Sequence, residues 1–225
     1  MNTRALPLLT LALGLTTLGA FVWLGMAAEV AAVYDRAEVA LAVSEFQRSV
    51  TTADLARVFG DPADPAIIAA QDAINTRDLY AFIPAYTLFL LAAALLLSGK
   101  RGPFTWVAAA FALIGGTADA VETYRQLCIT RDFANAEHYL PIATWHWAKY
   151  LALGLNGLAV GFLCLLAAPR RWIMGLLALA PLPLVLLAWA GVTSPRLFSA
   201  AFAAYWIGLL FVAAIQSVRG RGAPA

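Results

Sequence analysis

Residues 99–126 read GKRGPFTWVAAAFALIGGTADAVETYRQ, and the order of charge, apolar run and charge in that stretch decides the fold. It opens on Lys100 and Arg101, stays uncharged from Gly102 to Ala118, and turns acidic at Asp119 and Glu122. Written as a helix, the span from about 104 to 126 is roughly 34 Å long, enough to cross a hydrocarbon layer of about 30 Å. Five more stretches of that kind flank it, so spans are predicted at about 5–31, 80–98, 104–126, 142–168, 172–190 and 197–217. The expected class is all-α, a polytopic integral membrane protein of six transmembrane helices in a single membrane domain covering 1–225.

Composition agrees. The chain has 225 residues, 62% hydrophobic and 12% charged, against roughly 45–50% and about 25% in soluble domains. Mean hydropathy is +0.78. A net charge of +2, from 15 basic and 13 acidic residues, gives no polycation for nucleic acid. Arg4 and the apolar run behind it have the outline of a signal peptide. That run exceeds the roughly 7–15 apolar residues such peptides carry, so an uncleaved first span is expected.

The connections Gly99-Lys100-Arg101-Gly102 and Pro169-Arg170-Arg171 are short and purely basic, while Arg4 and Arg219 with Arg221 mark the two ends of the chain. With six spans these segments share one membrane side, and every acid lies in the other connections or in the span ends next to them. The positive-inside rule then puts both ends in the cytoplasm, and the short basic loops and Ala/Leu-rich spans suggest a bacterial inner membrane. Trp106 and Trp172 suit the inner aromatic belt, and Trp145, Trp147 and Trp189 the outer one. Trp206, near mid-span, is expected to pack between helices.

The long connection between spans one and two, about 34–77, predicts a helical extracytoplasmic cap. Val39, Val43, Phe46 and Val50 recur at helical spacing over 35–50, with Asp35, Glu38, Glu45 and Arg48 on the other side. Thr51 to Asp54 reads as a helix start and Gly60 as a stop. Asp64 with Pro65 reads as N-cap and first helical residue of a helix that continues through Arg77 and Asp78 into span two.

Ionisable groups inside spans cost about 2.5–3.5 kcal/mol each at the centre and are functional candidates by default. Counted from the inner span ends at 1.5 Å per residue, Tyr86 lies at roughly 18 Å, Asp119 at roughly 22 Å, and Tyr80 and Glu122 at roughly 27 Å. Lys149 falls at roughly 28 Å, Asp78 at roughly 30 Å and His146 at roughly 33 Å. The polar groups thus concentrate in one outer layer, with Asn156 deeper, level with Tyr86. Asp119 and Glu122 share a helix face, as do His146, Lys149 and Tyr150. A Glu122–Lys149 pair is expected, with Asp119 as the proton- or cation-binding group. Pro84 removes a backbone bond to residue 80, and Pro181 and Pro183 should kink span five.

Other chemistries find little support. Cys128 and Cys164 stand near opposite ends of their spans, too far apart for the roughly 7 Å a disulfide allows. His138, Glu137 and His146 match no zinc spacing, and there is no nucleophile elbow, P-loop or dinucleotide fingerprint. Lys149, near a helix end in span four, does not suit a retinal Schiff base. No cofactor and no metal are expected.

Three functions remain. The first expectation is a protein that binds or carries a small hydrophobic or cationic molecule, or protons, at Asp119, Glu122, Lys149, His146, Tyr80, Tyr86, Asp78 and Asn156. The alternative is a membrane-embedded lipid or isoprenoid enzyme using Asp119 as general acid or base. The second alternative is an accessory subunit whose cap docks a partner membrane protein. Membrane lipid is the expected surrounding, and Gly154, Gly157 and Gly161 on span four offer a face for a homodimer.

The charge asymmetry makes a direct prediction. A fluorescent reporter that matures only in the cytoplasm, fused after Ala225, is expected to be bright, and a phosphatase active only outside the cytoplasm to be silent there. The reverse pattern would overturn the assigned orientation.

Overall fold

The computed structural model describes residues 5–34, 45–98, 102–167 and 170–219. These are 86% helix, with no strand among them. Helix α1 covers Ala5–Leu24, α2 Ala28–Tyr34, α3 Thr52–Phe59 and α4 Pro65–Arg77. A π-helical turn, Asp78–Phe82, joins α4 to α5, Ile83–Leu97. There follow α6, Pro103–Arg131; a 3-10 segment, Phe133–Tyr139; α7, Ala143–Leu166; α8, Trp172–Leu179; α9, Pro181–Trp189; and α10, Pro195–Arg219. Six helical runs are long and apolar enough to cross a membrane: α1, Pro65–Leu97, α6, α7, Trp172–Trp189 and α10. The chain is an all-helical polytopic membrane protein with a helical cap between its first two spans.

The run Pro65–Leu97 is one helical path, as the sequence predicts, but it is not uniform. Pro84 has no N–H to give to residue 80 and its ring crowds that carbonyl. The backbone answers with a wider turn just before it, in which the Ile83 N–H reaches back five residues to the Asp78 carbonyl. Span five bends in a similar place: α8 ends at Leu179 and α9 begins at Pro181. The first span is shorter than its predicted 5–31. Helix α1 ends at Leu24, the Met26 N–H turns back to the Trp23 carbonyl at 3.2 Å, and α2 starts at Ala28.

The chain divides into two compact units. Unit 1 comprises 1–17, 85–116 and 149–225, and unit 2 comprises 18–84 and 117–148. In unit 1 a Cβ on Gly157 would sit 2.5 Å from the Ala178 carbonyl oxygen. Only glycine lets α7 and α8 approach that closely. Gly154 and Gly161 of the same stripe meet Leu182 and Leu179, so this stripe is filled within unit 1. Trp206 stacks on Tyr86 with ring centroids 5.1 Å apart, the inter-helix packing its mid-span position predicts. Of the tryptophans expected in the aromatic belts, Trp106, Trp172 and Trp189 are exposed and Trp145 and Trp147 are half-buried.

Unit 2 contains the cap. Phe46, Leu55, Val58 and Phe59 are buried with Ile129, Ala136 and Ile142, and Phe59 meets Phe46 and Phe133 edge-on at 4.9 and 5.3 Å. A second cluster sets Ala27 and, from α2, Val30 and Val33 against Ala70 of α4. The cap therefore draws on the 3-10 segment and the far end of α6 as well as on 45–77. The amphipathic helix expected over 35–50 falls largely on 35–44, outside the described residues, as do Val39 and Val43. So do Arg4, Lys100, Arg101, Pro169 and Arg221. The part that is described departs from the prediction at Val50, which is 53% exposed while Phe46 is fully buried. Helical geometry has ended by then, because the Ser49 carbonyl accepts from the Ile142 and Ala143 N–H groups at 3.0 and 3.3 Å.

The start of α3 follows the sequence closely. The Asp54 N–H donates to Thr51 Oγ1 at 3.3 Å, while Asp54 Oδ2 accepts from the Thr51 and Val50 N–H groups at 2.8 and 2.9 Å. This is a reciprocal capping box, closed by an ion pair between Asp54 and Arg57. Gly60 ends the helix at a φ of 87°, where a side chain would be strained. The backbone N–H groups of Val50 and Thr51 hold the Asp54 carboxyl below its ordinary 3.8. A depressed folded-state value means that Asp54 stabilises the fold above the ordinary value and loses that contribution as pH falls through the folded one. Thr51→Ala is expected to cost about 1 kcal/mol at neutral pH. The penalty of Asp54→Asn should shrink below about pH 4; thermal unfolding followed by circular dichroism at both pH values checks each.

Candidate functional site

Along α6, Asp119, Glu122, Thr123, Gln126 and Thr130 follow one another at spacings of three, one, three and four. At 3.6 residues per turn these five positions fall within an arc of about 100°. All five are buried, none more than 8% exposed. A face of this kind cannot stand in an apolar environment unless its groups meet partners, and unit 2 supplies them from two directions.

One set comes from α4 and the π-helical turn. Thr123 Oγ1 donates to Asp78 Oδ2 at 3.1 Å, and Thr130 Oγ1 donates to Asp72 Oδ1 at 2.9 Å. Arg131 closes on the same carboxylate, Nε to Asp72 Oδ1 at 3.0 Å, and its Nη2 reaches Thr76 Oγ1 at 3.1 Å. The second set comes from the first turn of α7. His146 Nδ1 lies 3.4 Å from Glu122 Oε1, with the two side chains 3% and 0% exposed. Gln126 Nε2 donates to the same oxygen at 3.1 Å. With Glu122 ionised, the imidazole Nδ1–H is the donor. The His146 ring stands edge-on to Trp147 at 5.1 Å. Arg125 leaves the polar face to donate to the Tyr139 and Leu140 carbonyls at 2.7 and 3.1 Å, fixing the 3-10 segment.

The sequence-predicted residues are divided between the two compact units. Asp119, Glu122, His146 and Asp78 lie in unit 2, with Glu122 and His146 in direct contact and Asp78 bonded to the same helix face. Tyr80 belongs to unit 2 as well but is 72% exposed, so it does not join the buried group. Depth arithmetic fixes its level and not its azimuth, and the π-helical turn turns it outward. Tyr86, Lys149 and Asn156 belong to unit 1. Lys149 is 4% exposed and its ammonium lies over the Tyr150 ring, 5.0 Å from the centroid. Tyr150 in turn meets Phe198 at 4.5 Å.

Asn156 is fully buried and its amide is committed to helix contacts. Its Nδ2 donates to the Ala108 carbonyl of α6 at 2.8 Å, and its Oδ1 accepts from the Tyr205 hydroxyl of α10 at 2.9 Å. One side chain thus clasps three helices of unit 1. Thr123, Gln126, Asp72 and Thr130 are absent from the sequence-level candidates. For Thr123, Gln126 and Thr130 the signal is the helical spacing from Asp119 onward, which reaches Thr130, past the point where hydropathy ends the span; Asp72, on α4, has no such signal. Among the described residues no three His, Cys, Asp or Glu side chains gather as a metal site, and Cys128 and Cys164 are free thiols.

The clasp is testable. Asn156→Ala removes two inter-helix hydrogen bonds, each averaging about 0.6 and at most about 1.7 kcal/mol in membrane proteins. A loss of about 1–3 kcal/mol is expected in a denaturing-detergent titration, with Tyr205→Phe non-additive to it.

The chain matches no known protein family, no curated protein and no solved structure in the three comparisons made.

Proposed function

We propose that this protein is an integral membrane protein that binds a small cation, the proton first among them, at the buried group formed by Asp119, Glu122 and His146. The observation that carries this reading is the Glu122–His146 contact of 3.4 Å between side chains that are almost wholly removed from solvent. A carboxylate and an imidazole at that distance hold an exchangeable proton between them, and histidine changes charge near neutral pH. Asp119, one turn nearer Pro103 on the same face and 5% exposed, adds a second carboxylate. Two acids on one buried face give the group an acidic character that suits a positive guest. The conjugate acid of an amine or a lipophilic cation has the same chemical character. In this reading the site occupies the outer half of the bundle in a bacterial inner membrane, with both ends of the chain in the cytoplasm. The purely basic connections support that orientation.

Infrared difference spectroscopy of the protein in lipid, titrated from pH 5 to 8, tests the proposal. One protonated-carboxyl band per chain is expected to appear and vanish in that window, and to be lost in Glu122→Gln or Asp119→Asn. A wild-type protein whose carboxylates stay ionised across the window would reduce the group to a pin that fixes helix register.

A further inference from the structure

Away from the buried acids, unit 2 carries an open groove of about 760 Å³. Its lining includes Trp23 from the last turn of α1, Glu29 from α2, Asp72 and Arg77 from α4, and Thr130 and Arg131 from the end of α6, with Ile68 on the apolar wall. Two arginines face it, and both are held in place by protein contacts that use only part of their donor capacity. Arg77 Nη1 donates to the Trp23 carbonyl at 2.6 Å, and its guanidinium lies 4.7 Å above the Trp23 ring. Arg131 is oriented through Nε and Nη2 by Asp72 and Thr76, which leaves Nη1 to the groove among the described contacts. Pre-oriented guanidinium forks with N–H groups to spare suit phosphate oxygens. Glu29, exposed on α2, adds a negative group on the same lining, so the groove presents both signs of charge.

Depth says where such a ligand comes from. Trp23 stands eighteen residues beyond Ala5, the start of α1, at about 27 Å, and Arg77 stands twenty residues from Leu97, the end of α5, at about 30 Å. Both reach the edge of a hydrocarbon layer of about 30 Å, the level of tryptophan belts and lipid phosphates. We propose that this groove is a site for one phospholipid of the surrounding bilayer with an ammonium-bearing headgroup. Its phosphate sits on Arg77 and Arg131, its ammonium on Glu29, and its glycerol end against Trp23 and Ile68. The site shares Asp72 and Thr130 with the far end of the α6 face, does not include Asp119, Glu122 or His146, and does not depend on their function.

Native mass spectrometry of the whole chain, solubilised in a mild detergent with equimolar phosphatidylethanolamine and phosphatidylglycerol, tests the assignment. One phosphatidylethanolamine per chain is expected to be retained in preference to phosphatidylglycerol. Arg77→Gln should weaken retention of both lipids by about tenfold, and Glu29→Gln should erase the preference between them. Among the described residues the Glu29 side chain makes none of the contacts that hold the fold, so this variant keeps the test decisive should Arg77→Gln fail to fold. No bound lipid, a preference unchanged in Glu29→Gln, or full displacement of the lipid by inorganic phosphate would each overturn the proposal.

Discussion

A polar face twelve residues long on a membrane-spanning helix has to be covered, and much of unit 2 follows from how that is done. The buried stripe from Asp119 to Thr130 cannot face lipid without leaving hydrogen-bonding groups unmet. Asp72 and Asp78 come to it from one side and His146 from another. The long connection between the first two spans folds into apolar clusters beside these contacts, with Phe59 at the centre of one and Ala70 in the other. Among its described residues unit 1 has no comparable stripe. Its buried asparagine satisfies both ends of its amide within a small clasp, and close backbone approach at Gly157 holds the helices together.

What was legible in the sequence was local or strongly periodic. Thr51 and Asp54, Asp64 and Pro65, and Gly60 announce the helix ends of the cap because capping is decided within four residues. Pro84 announces a break because a missing N–H and a ring clash act on the adjacent turn. The six spans are legible because lipid imposes one length and one composition on every crossing. Trp206 could be assigned to an inter-helix contact from depth alone, since a large aromatic group at mid-span has few other places to go.

The remainder depends on rotation and on distant partners. Tyr80 shares its depth with buried groups yet faces outward, because level along a helix does not fix azimuth, and the wide turn before Pro84 changes the azimuth of what precedes it. Val50 has the spacing of a buried helical residue, but the helix stops when the Ser49 carbonyl is captured by residues more than ninety positions away. Thr123 and Gln126 escaped notice because each is unremarkable alone. They gain meaning only as members of a face that a hydropathy window cuts in two.

The π-helical turn at Asp78–Phe82 places one more residue between α4 and α5 than an α-helical path would need. In terms of sequence change, it behaves as an insertion held in the fold. Deleting a single residue between Asp78 and Phe82 would let the run close as an ordinary helix, with α4 turned by about 100° relative to α5. Asp78 would leave Thr123, and Asp72 would leave Thr130 and Arg131, although each of those residues would still be present. The spacing between Arg77 and Pro84 is therefore a constraint in its own right: related chains are free to vary the side chains of this turn more readily than its length.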